Sequence, residues 1–265
     1  MNYWNVTEDA LRFDDCTMDY MVFGTGEEPL LLIRGLNITR LKGTSLILID
    51  RYKLYAKRFR IYVIDRRDPV PEDVNVEMIA EDVYRGMKAL GLDRVNVIGN
   101  SQGGMIAQYL TLNHPECVKK LVLNVTACEP NDVLKSKVDR WAELARAGEM
   151  TLISDEFMDQ MYPEGKKPEP RKYVEFLSKN FKTHTPEEFA VLAEACLSCN
   201  TKERLNEVEC PVLVMGGGKD VIMSPEASVS LAEALGTEAV IFEDLGHGAY
   251  ETPEYMNKVI EFFEG

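Results

Sequence analysis

Short apolar runs alternate along the chain with stretches of helical composition. The runs Thr17 to Phe23, Leu30 to Ile33, Arg60 to Ile64, Val95 to Ile98, Leu121 to Val125, Val212 to Met215 and Ala239 to Phe242 predict strands. Between them, helices are predicted near Ser45 to Lys57, Val76 to Leu90, Ser101 to Asn113, Pro225 to Leu235 and Pro253 to Phe263. Pro253 suits a first helical turn, where its missing N–H costs nothing. Such alternation is the signature of a mostly parallel sheet wrapped by helices. It breaks between about Cys128 and Leu205. That segment is helical in composition around Arg140–Ala145 and Glu187–Leu192, and it carries a proline-rich loop from Tyr162 to Pro170.

The pentapeptide Gly99-Asn100-Ser101-Gln102-Gly103 follows the run Val95 to Ile98 directly and precedes a helical stretch. A nucleophile that must stand clear of its own backbone needs a sharp strand-to-helix turn, and flanking glycines let neighbouring elements approach closely. Ser101 is therefore the candidate nucleophile. A structural βα turn is the plainer alternative for the motif taken alone.

From about Tyr20 onward the chain resembles the α/β-hydrolase family, in five segments that occur in the expected order. Leu30 to Asn37 looks like a strand and oxyanion loop, Val63 to Arg67 like the next strand end, and Ser101 like the nucleophile elbow. Gly218-Lys219-Asp220 looks like the acid loop, and Gly246-His247-Gly248 like the histidine loop. The resemblance implies an eight-stranded, mostly parallel sheet with a helical cap inserted after the sixth strand. Residues 1–127 and 206–265 would form the catalytic core and residues 128–205 the cap.

A serine hydroxyl near neutral pH needs a base to take its proton as it attacks. The chain has three histidines. His114 is predicted at the far end of the helix after Ser101, roughly three turns away at 1.5 Å per residue, where a cation suits the helix dipole. His184 belongs to the inserted segment and is expected to face solvent. His247, in a Gly-His-Gly loop after a strand, is the candidate base. Its imidazole must be held in one tautomer by a carboxylate, and Asp220, after the run Val212 to Met215, completes the order Ser, Asp, His. Asp65 is the rival acid, although in this family such an aspartate organises the loop.

The resemblance places the oxyanion donors at the backbone N–H groups of Gln102 and Leu36. Where the family commonly has His-Gly, this chain has Arg34-Gly35. Arg34 either braces the loop, paired with Asp65 or Asp68, or presents its fork to a substrate carboxylate. The run Asp65-Arg66-Arg67-Asp68-Pro69 also departs from relatives that have a glycine soon after the aspartate. Its four charges either lace the loop together or make the pocket mouth polar.

A net charge of −14, from 44 acidic and 30 basic residues, argues against nucleic acid as a partner, which would draw on clustered Lys and Arg. Lys119-Lys120 and Lys166-Lys167 are too short to serve. The first residues lack the basic and apolar regions of a secretory signal, and no run reaches a membrane-spanning length. Six cysteines are scattered without a framework, which suits a reduced, cytoplasmic setting. Cys196 and Cys199 have metal-like spacing but lack a second ligand pair, so neither metal nor organic cofactor is expected. The expected activity is that of a serine hydrolase acting on a small to medium carboxylic ester or thioester, as a monomer or homodimer. Lactone or β-diketone cleavage, acyl transfer, and a slow-turnover receptor role are the alternatives.

Overall fold

The computed structural model of the protein describes residues 4–162 and 181–265. Eight strands form one sheet: β1 (Thr7–Arg12), β2 (Thr17–Phe23), β3 (Glu28–Ile33), β4 (Phe59–Ile64), β5 (Val95–Asn100), β6 (Val118–Asn124), β7 (Val212–Gly217) and β8 (Ala239–Phe242). Their spatial order is β1-β2-β4-β3-β5-β6-β7-β8. The pairs β1·β2 and β2·β4 are antiparallel and the other five are parallel. All six residues of β5 are buried, Asn96 and Asn100 included, as expected of a central parallel strand covered on both faces.

Successive strand residues point to opposite faces, and this divides the core in two. Leu31, Ile33, Val95, Val97, Leu121 and Leu123 face one side, where they meet helices α3 (Val76–Ala89) and α4 (Gln102–Asn113). Leu30, Leu32, Ile61, Val63, Ile98 and Val122 face the other. There they pack with the short helices α1 (Ser45–Arg51) and α2 (Lys53–Ala56), and with Tyr255, Met256 and Val259 of the C-terminal helix Pro253–Glu264.

Between β6 and β7 the sheet pattern gives way to α5 (Asp132–Arg146), α6 (Met150–Met161) and α7 (Pro186–Glu194). Asn131 starts α5 by accepting the Leu134 N–H at 2.8 Å. Thr185 and Glu188 start α7 as a reciprocal capping box. Arg146 of α5 reaches Glu187 and Glu194 of α7, and Trp141 of α5 stacks on Phe157 of α6 with centroids 4.4 Å apart. Helix α8 (Pro225–Ala234) follows β7, and the C-terminal helix, α9, starts with Pro253 in its first turn.

Three expectations are corrected. Thr7–Arg12 is a strand that the apolar pattern did not mark. The helix expected over Ser45 to Lys57 divides at Tyr52, whose φ of −105° and ψ of 23° leave the helical region. His184 is buried, with 4% exposure, instead of facing solvent. Most of the proline-rich loop, including Lys166-Lys167, lies outside the described residues.

Candidate active site

The carboxyl ends of the parallel strands gather the site, as is usual in open α/β sheets. Ser101 follows β5 with φ 56° and ψ −123°, a conformation that non-glycine residues rarely adopt and that costs on the order of 1–3 kcal/mol. Its surroundings hold it there. The Ser101 N–H donates to the Asn124 carbonyl at 2.8 Å, and the Thr126 hydroxyl donates to the Ser101 carbonyl at 2.7 Å. The motif glycines permit the turn. A Cβ on Gly103 would lie 2.1 Å from the Ile33 carbonyl oxygen, and one on Gly99 would lie 2.5 Å from that of Gly103.

His247 follows β8 and places its Nε2 3.0 Å from Ser101 Oγ. Its Nδ1 lies 2.8 Å from Asp220 Oδ2. Asp220 stands after β7, and its other oxygen accepts the N–H groups of Ile222 (2.8 Å) and Met223 (3.0 Å). Both His247 and Asp220 are buried, at 2% and 5% exposure. Burial alone would raise the Asp220 pKa, but His247 beside it and the two backbone donors hold it below the usual carboxylate value.

The rival carboxylate is occupied elsewhere. Asp65 accepts from Arg34 Nη2 at 2.8 Å and from the Leu41 N–H at 2.7 Å. Despite its burial, Arg34 and the Leu41 donor keep its pKa low. Asp65 thus secures the loop after β3. The rest of the charged run reaches outward to other segments: Arg67 pairs with Asp15 and Asp82, and Asp68 with Lys182 and Arg40. Arg66 is the exception. It is buried, and its Nη2 donates to two neutral acceptors, the Arg34 carbonyl at 2.9 Å and Gln102 Oε1 at 3.0 Å. Sequence reasoning missed this residue, because one arginine in a run of four charges carries no mark of burial.

Arg66 therefore ties together the two segments that hold Leu36 and Gln102. The Gln102 side chain is held further by the Leu192 carbonyl and by Cys196 Sγ, the latter 3.2 Å from its Nε2. Burial pushes the Cys196 thiol up to about 11, so it remains protonated. Cys199 donates to the Ala127 carbonyl at 3.6 Å. These two cysteines act as core packing in contact with α4 and the β6 exit. Among the described residues no group of three His, Cys, Asp or Glu could hold a metal ion. His114 caps α4, where its Nε2 lies 2.9 Å from Glu81 and its ring stacks on Tyr84.

A cavity of about 150 Å³ opens onto Ser101 and His247. Arg34, Leu36 and Tyr52 line it from the core, and Phe157, Met158 and Met161 line it from α6. Beneath Ser101, Asn100 Nδ2 donates to the Tyr52 hydroxyl at 3.2 Å, and Asn124 donates to Asn100 Oδ1 at 2.9 Å. A second space of about 10 Å³, bordered by Asp65, Arg66, Gln102 and His184, lies behind the loop of Leu36.

The sheet order, the strained serine turn and the Ser–His–Asp contact define an α/β-hydrolase-fold protein, and the family model described as alpha/beta hydrolase fold matches residues 28–145. The chain has the fold of that family. It is 21% identical over 258 residues to 3-oxoadipate enol-lactonase 2 of Acinetobacter baylyi, covering 96% of this chain and 95% of the other. It is 28% identical over 220 residues to a Rhizobium rhizogenes protein that bears the provisional name carbamate hydrolase RutD, covering 78% and 83%. The crystal structure of an enol-lactonase from Burkholderia xenovorans superposes with a TM-score of 0.82 at 19% identity, covering 97% of this chain and 100% of that one. No helix of the described residues is long and apolar enough to cross a membrane.

Proposed function

We propose that the protein is a serine hydrolase that cleaves a small carboxylic ester or thioester through an acyl-enzyme. The observation that carries this reading is the continuous Ser101–His247–Asp220 contact, at 3.0 and 2.8 Å, opening onto a cavity. Ser101 Oγ attacks the acyl carbon while His247 Nε2 takes the hydroxyl proton, and Asp220 stabilises the imidazolium through Nδ1–H. His247 then gives the proton to the departing alcohol or thiol. A water molecule, deprotonated by the same nitrogen, releases the acid and restores Ser101.

The tetrahedral oxyanion is held by the N–H groups of Gln102 and Leu36. No side chain is needed for either donor, so Arg34 in place of the family histidine leaves them intact. Residues 128–205 act as a cap, with α6 supplying the apolar wall of the pocket. A lactone, an internal ester opened by the same steps, is the second reading, favoured by the enol-lactonase names among the relatives.

The test is a panel of p-nitrophenyl esters from acetate to octanoate, run with fluorophosphonate labelling, for the parent and Ser101→Ala. The expected result is turnover and labelling in the parent and loss of both in the folded variant. Labelling retained by Ser101→Ala would remove Ser101 as the nucleophile. A folded parent that is labelled but inert toward the panel would transfer the weight to lactones.

A further inference from the structure

Arg34 lines the same cavity as Ser101 and His247, and its side chain is only 11% exposed. Its position is fixed from two directions. Nη2 is tied to Asp65 at 2.8 Å, and its own carbonyl is pinned by Arg66 at 2.9 Å. The bond to Asp65 is the hydrogen bond its guanidinium makes among the described residues, which leaves Nε and Nη1 open. A guanidinium offers five N–H donors in a rigid fork that matches a carboxylate. Asp65 uses one edge.

Charge bookkeeping gives the open edge a purpose. Two guanidiniums, the half-buried Arg34 and the buried Arg66, lie against one carboxylate, Asp65, while the direct acceptors of Arg66 are neutral. Burial, opposed by Asp65 and reinforced by the Arg34 charge, lowers the Arg66 pKa to about 10, so it stays cationic at neutral pH. One positive charge is therefore in excess beside the cavity, in a chain whose net charge is −14. An uncompensated buried charge is costly. Glu251, the acid that lines the cavity, is already engaged with Arg51 at 3.1 Å and with the Tyr162 hydroxyl. The volume of about 150 Å³ is of the size that admits a benzene-sized molecule, which fits a short acyl chain.

We propose that the cavity takes a short acyl substrate bearing a second, ionised carboxylate, which seats on the open edge of Arg34 while its ester or lactone carbonyl meets Ser101. The reacting end rests on the serine-hydrolase reading, whereas the carboxylate seat does not. Binding can therefore be separated from turnover.

Monomethyl glutarate and methyl pentanoate have acyl chains of equal length and differ by a terminal carboxylate in place of a methyl. Their affinities are measured by calorimetry on Ser101→Ala, and their turnover by methanol release from the parent. A charge-assisted seat should favour monomethyl glutarate by about 10- to 100-fold. Introducing Arg34→Met together with Asp65→Asn removes the pair without stranding a buried carboxylate, and Arg34→Gln tests the arginine alone; melting curves confirm folding. In either folded variant the ratio of the two affinities should collapse to within a few fold. Equal affinities in Ser101→Ala, or a preference that survives the loss of Arg34, would overturn the seat. So would equal losses for both esters on replacing Arg34, which would assign the excess charge to the oxyanion instead. Preferential binding of monomethyl glutarate with no turnover of either ester would leave the seat standing and sink the hydrolase reading.

Discussion

Asp220 shows how much of a site can depend on one carboxylate's orientation. Its Oδ1 is spent on two backbone donors, so Oδ2 faces His247 in one geometry. In the proposed mechanism this fixes Nδ1 as the protonated nitrogen and leaves Nε2 free to accept the Ser101 proton. Asp220→Asn would keep the shape and offer an amide where an acceptor is needed. The expected result is a fall in kcat of about 10⁴-fold, as when the equivalent aspartate of a serine protease triad is replaced, with little change in melting temperature. A near-normal kcat would take Asp220 out of the relay. Arg66 makes a contrasting case, because its environment comes from chain segments distant in sequence: Arg34 and Gln102 lie 32 and 36 residues away. Nothing local in Asp65-Arg66-Arg67-Asp68 distinguishes the arginine that turns inward from the one that pairs with Asp15.

The legible elements were those whose local pattern matches their final surroundings. Strands β3 to β7 are central, and the burial of most of their residues wrote largely apolar runs into the sequence. Strand β1 is an edge strand with sequence Thr-Glu-Asp-Ala-Leu-Arg, partly exposed along its length. Charged residues on an edge discourage unwanted pairing, and they also hide the strand from a reading based on apolar runs. The helices between β6 and β7 were legible as helices, but which of their residues face the cavity was not, since core packing and pocket lining share the same spacing. The structure selects Phe157, Met158 and Met161 of α6, whereas Trp141 and Phe189 are buried core. If α6 sets the acyl length, Met158→Ala should raise the kcat/KM ratio of hexanoate over acetate esters about tenfold, the scale of one methylene in an apolar pocket. An unchanged chain-length profile would show that α6 does not limit the acyl group.

At the scale of the whole molecule, the helices between β6 and β7 and the loop after β3 meet at His184. Its flanking residues, Lys182, Thr183 and Thr185, are polar, and its burial arises from docking: its N–H donates to the Ile38 carbonyl at 2.9 Å, and Arg40 N–H donates to the Lys182 carbonyl at 2.8 Å. Arg40 also pairs with Glu188 of α7 at 2.8 Å. Burial lowers the His184 pKa to about 4, against the opposing charges of Asp65 and Glu188 and with the repulsion of Arg40 and Arg66. A histidine neutral when folded has a definite linkage sign. Between the unfolded value of about 6.5 and about 4 in the fold, the unfolded chain binds one more proton. Stability is therefore complete above that window and falls as pH drops through it, by up to about 1.4 kcal/mol per pH unit. Asp65 and Asp220, whose folded pKa values are lowered, have the same sign at lower pH; their contribution is lost only below the unfolded aspartate value of about 3.9. Urea midpoints measured from pH 7 to pH 3 should decline in the parent. In His184→Gln that upper limb should flatten while the steeper loss below about pH 4 remains, the range set by the aspartates. If the variant keeps the parent's slope between pH 6.5 and 4.5, the proton responsible lies elsewhere, and the join at His184 is not what acid loosens first.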